Sequence, residues 1–119
     1  MKLREIISIV GGKVLFEADL DMEIKCAAAS DLMSDVLAFA EAGSVLLTGL
    51  CNPQTVRTAE MADIVAIVFL RGKEPAPETI ELAREKGIPL VTTPLPMFEA
   101  CGRLYRAGLK SCDISCRIS

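Results

Sequence analysis

Residues 64–70 read Ile-Val-Ala-Ile-Val-Phe-Leu, an apolar run rich in β-branched residues and without a polar interruption. A strand with one wet face alternates polar and apolar side chains, so an unbroken run of this length marks a strand covered on both faces, at the centre of a sheet. A centre of that kind needs a layer of structure above it and another below. Two further short apolar segments flank it in sequence, Ser44 to Thr48 with Val45-Leu46-Leu47, and Ile88 to Thr92. Between these segments lie stretches of helical character. Asn52-Pro53 is a helix start, with Asn as cap and Pro in the first turn, and it predicts a helix to about Ala62 with Val56, Ala59 and Met61 inward. Glu78 to Lys86 is amphipathic through Ile80, Leu82 and Ala83 and is closed by Gly87.

The same pattern extends in both directions. Pro96 to about Ala107 predicts a last helix whose inner face is Phe98, Cys101, Leu104 and Tyr105. Lys2 to Val10 carries Leu3, Ile6, Ile7 and Val10 at helical spacing and stops at Gly11-Gly12. Strands are expected at Lys13 to Phe16 and Glu23 to Ala28. A helix over Leu32 to Glu41 is expected to be capped by Ser30 or Asp31 and to bury Leu32, Val36, Leu37 and Ala40. From residue 44 onward the order is strand, helix, strand, helix, strand, helix, which predicts right-handed crossovers and a mainly parallel sheet. The fold class read from the residues is therefore α/β. The chain's 119 residues suit one domain, placed at 1–109, with 110–119 as a C-terminal tail.

Composition narrows the function. There is no histidine, which removes Ser-His and Cys-His nucleophilic sites and His-ligated zinc. Neither GxxxxGK[ST] nor GxGxxG occurs, so nucleotide hydrolysis has no support. The expectation is a binding or regulatory domain that is not an enzyme and carries no cofactor. Net charge is −3 with the basic residues scattered, which argues against a nucleic-acid partner. No stretch of apolar residues is long enough for a membrane span, and the N-terminus does not read as a signal peptide, so a cytoplasmic location is expected. The five cysteines are then expected as free thiols. A mean hydropathy of +0.41 predicts apolar surface to cover, and hence a homodimer.

In open α/β sheets ligands bind at the carboxyl ends of the strands. That rule selects Ser30, Asp31 and Asp35, then Thr48, Gly49 and Asn52 beside a helix N-terminus, then Arg71 and Lys73, and last Thr92 and Thr93. Together these residues suit a nucleotide or phosphorylated metabolite, although turns and caps call for the same residue types. Asp31 and Asp35, four apart, are expected on one helix face, where they hold Mg²⁺, act in acid/base work or simply answer the helix dipole. Cys112 and Cys116 are the one close cysteine pair, a weak candidate for a metal site or a redox switch. Cys26 and Cys101 read as small core hydrophobes, and Cys51 lies at a strand-to-helix turn.

Four segments taken together carry a family resemblance: ASDLMSDVLAFA, LLTGLCNPQTVRTAEMADIVAIVFLRGK, ELAREKGIPLVTT and MFEACGRLYRAGL. In order and spacing the chain resembles stand-alone DRTGG-domain proteins over nearly all of its length to Leu109. The resemblance implies a three-layer α/β/α sandwich like the N-terminal domain of HPr kinase/phosphorylase. It also implies the role of regulatory inserts in phosphotransacetylases and CBS-containing pyrophosphatases, which help form dimers. For small stand-alone members it implies an accessory role beside iron-only hydrogenases and related electron-transfer enzymes, so the implied partners are a redox enzyme or a kinase-type protein. The literal Asp-Arg-Thr-Gly-Gly string is absent, its nearest fragments being Thr48-Gly49 and Arg57-Thr58, and no kinase P-loop is present to inherit.

Overall fold

A computed structural model describes residues 1–112. At its centre, β3 (Val45–Thr48), β4 (Ala66–Phe69) and β5 (Leu90–Thr92) are buried at every position. Their side chains alternate between two cores. Val45, Leu47, Ala66, Val68 and Val91 point to one side, and Leu46, Ile67, Phe69 and Leu90 to the other. This is the two-sided burial that the unbroken apolar runs require.

The sheet has five strands in the order β1-β5-β4-β3-β2. Here β1 is Lys13–Val14 and β2 is Ala27–Ala29. Strands β2 to β5 are parallel, and β1 pairs antiparallel with β5. From β2 to β5 the chain steps always in one direction, so right-handed crossovers place all three connecting helices on one face. These are α2 (Met33–Phe39), α3 (Pro53–Met61) and α4 (Pro77–Lys86), packed over the core of Val36, Val56, Ala59 and Ala83. On the other face, α1 (Leu3–Val10) and α5 (Met97–Arg106) pack together through Leu3, Ile6, Val10, Ala100 and Leu104. The result is a three-layer α/β/α sandwich.

Local chemistry sets the ends of these elements. Asn52 Oδ1 accepts the Thr55 N–H at 3.2 Å and Pro53 fills the first turn of α3, the start that Asn-Pro encodes. Gly11 closes α1 in the left-handed region at φ +61°. Gly12 lets the chain press onto β5, because a Cβ there would lie 2.7 Å from Val91 Cγ1.

Several expected faces turn out differently. On α5 the inner stripe is Ala100 and Leu104 with Met97 against it, whereas Phe98 is 90% exposed and Tyr105 74%. The two stripes lie side by side on the helix, and the small Ala100 is the one that allows close approach to α1. On α2 only Val36 is buried; Leu32 and Leu37 are exposed, as is Met61 at the end of α3. Ser30 and Asp31 do not cap α2. Its N-cap is Leu32, with no side-chain cap bond, because Ser30 Oγ turns to the Leu32 N–H and Asp31 bonds elsewhere. Beyond Leu109, Lys110 O accepts from Ala27 N at 2.8 Å and Cys112 N donates to Ala27 O at 2.9 Å, so the segment runs along the free edge of β2 as far as Cys112.

The two aromatic positions separate cleanly by measurement. Phe69→Ala removes a fully buried ring and is expected to cost about 3–5 kcal/mol in urea unfolding. Phe98→Ala is expected to cost less than about 0.5 kcal/mol. Similar losses for both would contradict the facing assigned to α5.

Candidate functional site

The loops that follow the parallel strands meet along one edge and are tied by a chain of hydrogen bonds. After β2, Asp31 Oδ1 accepts from Thr48 Oγ1 at 3.0 Å and from the Gly49 N–H at 2.6 Å. Thr48 Oγ1 in turn accepts the Leu50 N–H at 3.1 Å. After β4, the Lys73 ammonium donates to the Gly49 carbonyl at 3.1 Å. Thr92 Oγ1 at the end of β5 donates to the Lys73 carbonyl at 3.0 Å. The Arg71 N–H donates to Leu95 O and the Gly72 N–H to Thr93 O, with Arg71 in the left-handed region at φ +60°. Four strand ends are thus linked in one hydrogen-bonded chain, with Asp31 and Lys73 meeting at Gly49.

Glycine at this point keeps the surface open. A methyl group at position 49 would stand 3.5 Å from Asp31 Oδ1 and 3.7 Å from Lys73 Nζ. Asn52 sits just beyond, occupied in capping α3. The edge therefore presents a carboxylate and an exposed ammonium around a bare backbone turn, with exposed Arg71 in the loop that carries Lys73. Such a set recognises polar and anionic groups.

Not every residue read from the sequence belongs to this cluster. Thr93 is fully buried, and its hydroxyl donates to Val10 O at 2.6 Å, fastening β5 to the end of α1. Asp35 lies in α2 whereas Asp31 precedes the helix and bonds Gly49, so the two carboxylates do not share the expected helix face. Instead Ser30 and Asp35 line a second feature, a groove of about 640 Å³ that wraps the β2 edge between α2 and α5. Its walls are Ala27 to Ser30, Val36, Phe39 and Ala40 on one side, and Phe98, Cys101, Tyr105 and the segment 109–112 on the other. The groove ends on Ser30, and the next residue, Asp31, begins the polar cluster. The strand-end rule did not select this groove; the signal present in the sequence was the second apolar stripe of α5, Phe98, Cys101 and Tyr105.

The cysteines are also arranged differently from their sequence spacing. Cys26 and Cys112, 86 residues apart, have sulfurs 2.6 Å from each other, and both are buried. Cys116 lies outside the described residues. Cys26, Glu41 and Cys112 offer ligand atoms within 4.8 Å of one another, the one such group among the described residues, while Glu41 also pairs with Lys25 at 3.3 Å. Cys51 packs beside the core under α2 to α4. Burial raises the Cys101 thiol above its ordinary value. Cys26 is pushed up to about 12 from 9.0, first by burial, then by the Cys112 hydrogen bond and charge and by Glu41, with Lys25 opposing.

No protein-family model matches the chain, and no curated protein sequence matches it. A solved structure does: the CBS and DRTGG domains of the regulatory region of Clostridium perfringens pyrophosphatase, described in complex with an activator, diadenosine tetraphosphate. The TM-score is 0.70 at 16% sequence identity, over 95% of this chain and 51% of that one. The chain spans about half the length of that structure and shares its fold.

The raised Cys26 thiol has a consequence for stability. A group whose proton is held more tightly in the folded state stabilises the fold below its unfolded value and loses that contribution as pH rises. The loss is expected between about pH 9 and pH 12, from the shift at Cys26. Urea unfolding across that range is expected to show a shallower decline in Cys26→Ser than in the parent chain. Equal declines would contradict it.

Proposed function

We propose that this chain is a non-catalytic regulatory module of the DRTGG type that senses a nucleotide or phosphorylated metabolite. The observation that carries this reading is the hydrogen-bonded chain that links four strand ends, with Asp31 and Lys73 meeting at Gly49, Thr48 on Asp31 and Thr92 on the Lys73 carbonyl. Lys73 and Arg71 supply the positive charge that a phosphate needs, and the bare Gly49–Asn52 turn, opening into α3, lets a ligand approach the backbone. The adjoining groove with Phe39, Phe98 and Tyr105 offers aromatic faces to a base. The fold neighbour's description with an activating dinucleotide is consistent with this choice of ligand class. The sequence has no histidine and no P-loop motif, in keeping with a ligand that is bound rather than transformed.

Isothermal titration with ATP and with diadenosine tetraphosphate tests the reading. Saturable binding is expected, weakened about ten-fold by either Lys73→Ala or Arg71→Ala through loss of a charge-assisted contact. No heat with either nucleotide, or binding unchanged in both variants, would contradict it.

A second reading rests on the exposed α5 stripe. Phe98, at 90% exposure, and Tyr105, at 74%, are large apolar side chains left facing solvent, and such faces dock proteins. The occupant favoured is a second copy of the chain, in keeping with the dimers of DRTGG domains. A redox enzyme such as an iron-only hydrogenase, or a kinase-type protein, is the accessory alternative that the resemblance implies. Light scattering at micromolar concentration is expected to give a dimer that Phe98→Glu with Tyr105→Glu converts to monomer. A monomeric parent chain would rule out the homodimer.

A further inference from the structure

We propose that Cys26 and Cys112 form a reversible disulfide that fastens the segment 110–112 to β2 and so fixes one wall of the groove. The observation is the placement of the two sulfurs, 2.6 Å apart and both buried, at the join between the first and last described parts of the chain. Backbone pairing aims them at each other. Ala27 accepts from Cys112 N–H and donates to Lys110 O, so the cysteines flank a parallel bridge between Ala27 and Ser111. Sulfurs at this distance need only a small closing movement to bond.

A metal is the competing occupant, and the geometry does not favour it. Two thiolates on one tetrahedral ion, at metal–sulfur distances of about 2.3 Å, stand nearly 4 Å apart. These sulfurs are much closer. The third group nearby, Glu41, already faces Lys25 at 3.3 Å.

The oxidant is a low-molecular-weight disulfide, and the chemistry balances by exchange. The segment 110–112 is held to β2 by two backbone hydrogen bonds, and its local opening exposes Cys112. The Cys112 thiolate attacks the small disulfide, breaking its S–S bond, forming a mixed disulfide and releasing one small thiol. When the segment docks again, the Cys112 sulfur, now in the mixed disulfide, returns beside Cys26. The Cys26 sulfur then attacks the Cys112 sulfur of the mixed disulfide and releases the second small thiol, which takes the remaining proton. Two protein thiols are oxidised, and one small disulfide is reduced to two thiols.

Closing the chain between positions 86 residues apart restricts the unfolded ensemble. It also holds Leu109 to Cys112, which line the groove beside Cys101 and Tyr105, in a single arrangement. Groove shape then depends on the surrounding thiol–disulfide balance. This inference is independent of which ligand the Gly49 edge binds.

The test uses the full chain incubated with oxidised glutathione, alkylated, digested with trypsin and mapped by mass spectrometry. Cleavage after Lys25, Arg57 and Lys110 places Cys26 with Cys51 on one peptide and Cys112 with Cys116 on another, so fragment spectra assign the linked sulfurs. The expected product joins Cys26 to Cys112, is reversed by dithiothreitol and raises the melting temperature by roughly 10 °C. Cys116→Ser is expected to retain both the link and the shift, and Cys112→Ser to lose both. A link between Cys112 and Cys116, mixed disulfides with no internal link, or stoichiometric zinc released on alkylating Cys26 and Cys112 would each overturn the proposal. The mapping needs no variant to fold.

Discussion

The structure depends on one constraint, that β3, β4 and β5 are buried on both faces. Val45, Leu47, Ala66, Val68 and Val91 feed one core and Leu46, Ile67, Phe69 and Leu90 the other. A sheet centre of this kind must be covered above and below, and its parallel strands must be joined by crossovers of fixed hand. Because β2 to β5 advance in a single direction, α2, α3 and α4 share one face and α1 and α5 cover the other. The same geometry brings the ends of the parallel strands to one edge. The linking of four strand ends around Gly49 is thus a consequence of how the core is closed. No reversal of strand order occurs among the parallel strands, so there is no crevice of the usual doubly wound kind. What replaces it is a shallow polar edge that passes, at Ser30 and Asp31, into the apolar groove around β2.

Much of this was legible in the residues. The run 64–70, the Asn52-Pro53 start and the glycines at 11 and 87 each impose a local conformation that no tertiary contact needs to rescue. Faces were harder to read. On α5, Phe98, Cys101 and Tyr105 form as good an apolar stripe as Met97, Ala100 and Leu104. The choice between them is made by the fit of Ala100 against α1, and that fit is a property of two helices. Asp31 has the chemistry of a helix cap, yet a stronger set of donors, Thr48 Oγ1 and the Gly49 N–H, lies across the strand end. Thr93 sits where a ligand hydroxyl is expected, but Val10 O, remote in sequence, takes its hydrogen bond. Cys26 and Cys112 carry no mutual signal in sequence, because spacing reports on local neighbours and their contact is made by the edge of a sheet.

The two features of the surface divide the chemistry between them. The Gly49 edge is polar and held by hydrogen bonds from rigid strand ends, so its shape is set in advance of any ligand. The groove is apolar, rimmed by Phe39, Phe98 and Tyr105, and one of its walls is a short segment fastened by two backbone hydrogen bonds. On the proposed reading, affinity would reside in the fixed part and response in the part that the proposed disulfide would lock or release.

Nucleotide recognition at the Gly49 edge is tested most directly by titrating the ¹⁵N-labelled chain with diadenosine tetraphosphate and following the backbone amides. The prediction is saturable movement of Gly49, Leu50, Cys51, Gly72 and Lys73, with the amides of α1 left in place. Movement confined to other surfaces, or no movement at saturating nucleotide, would contradict it.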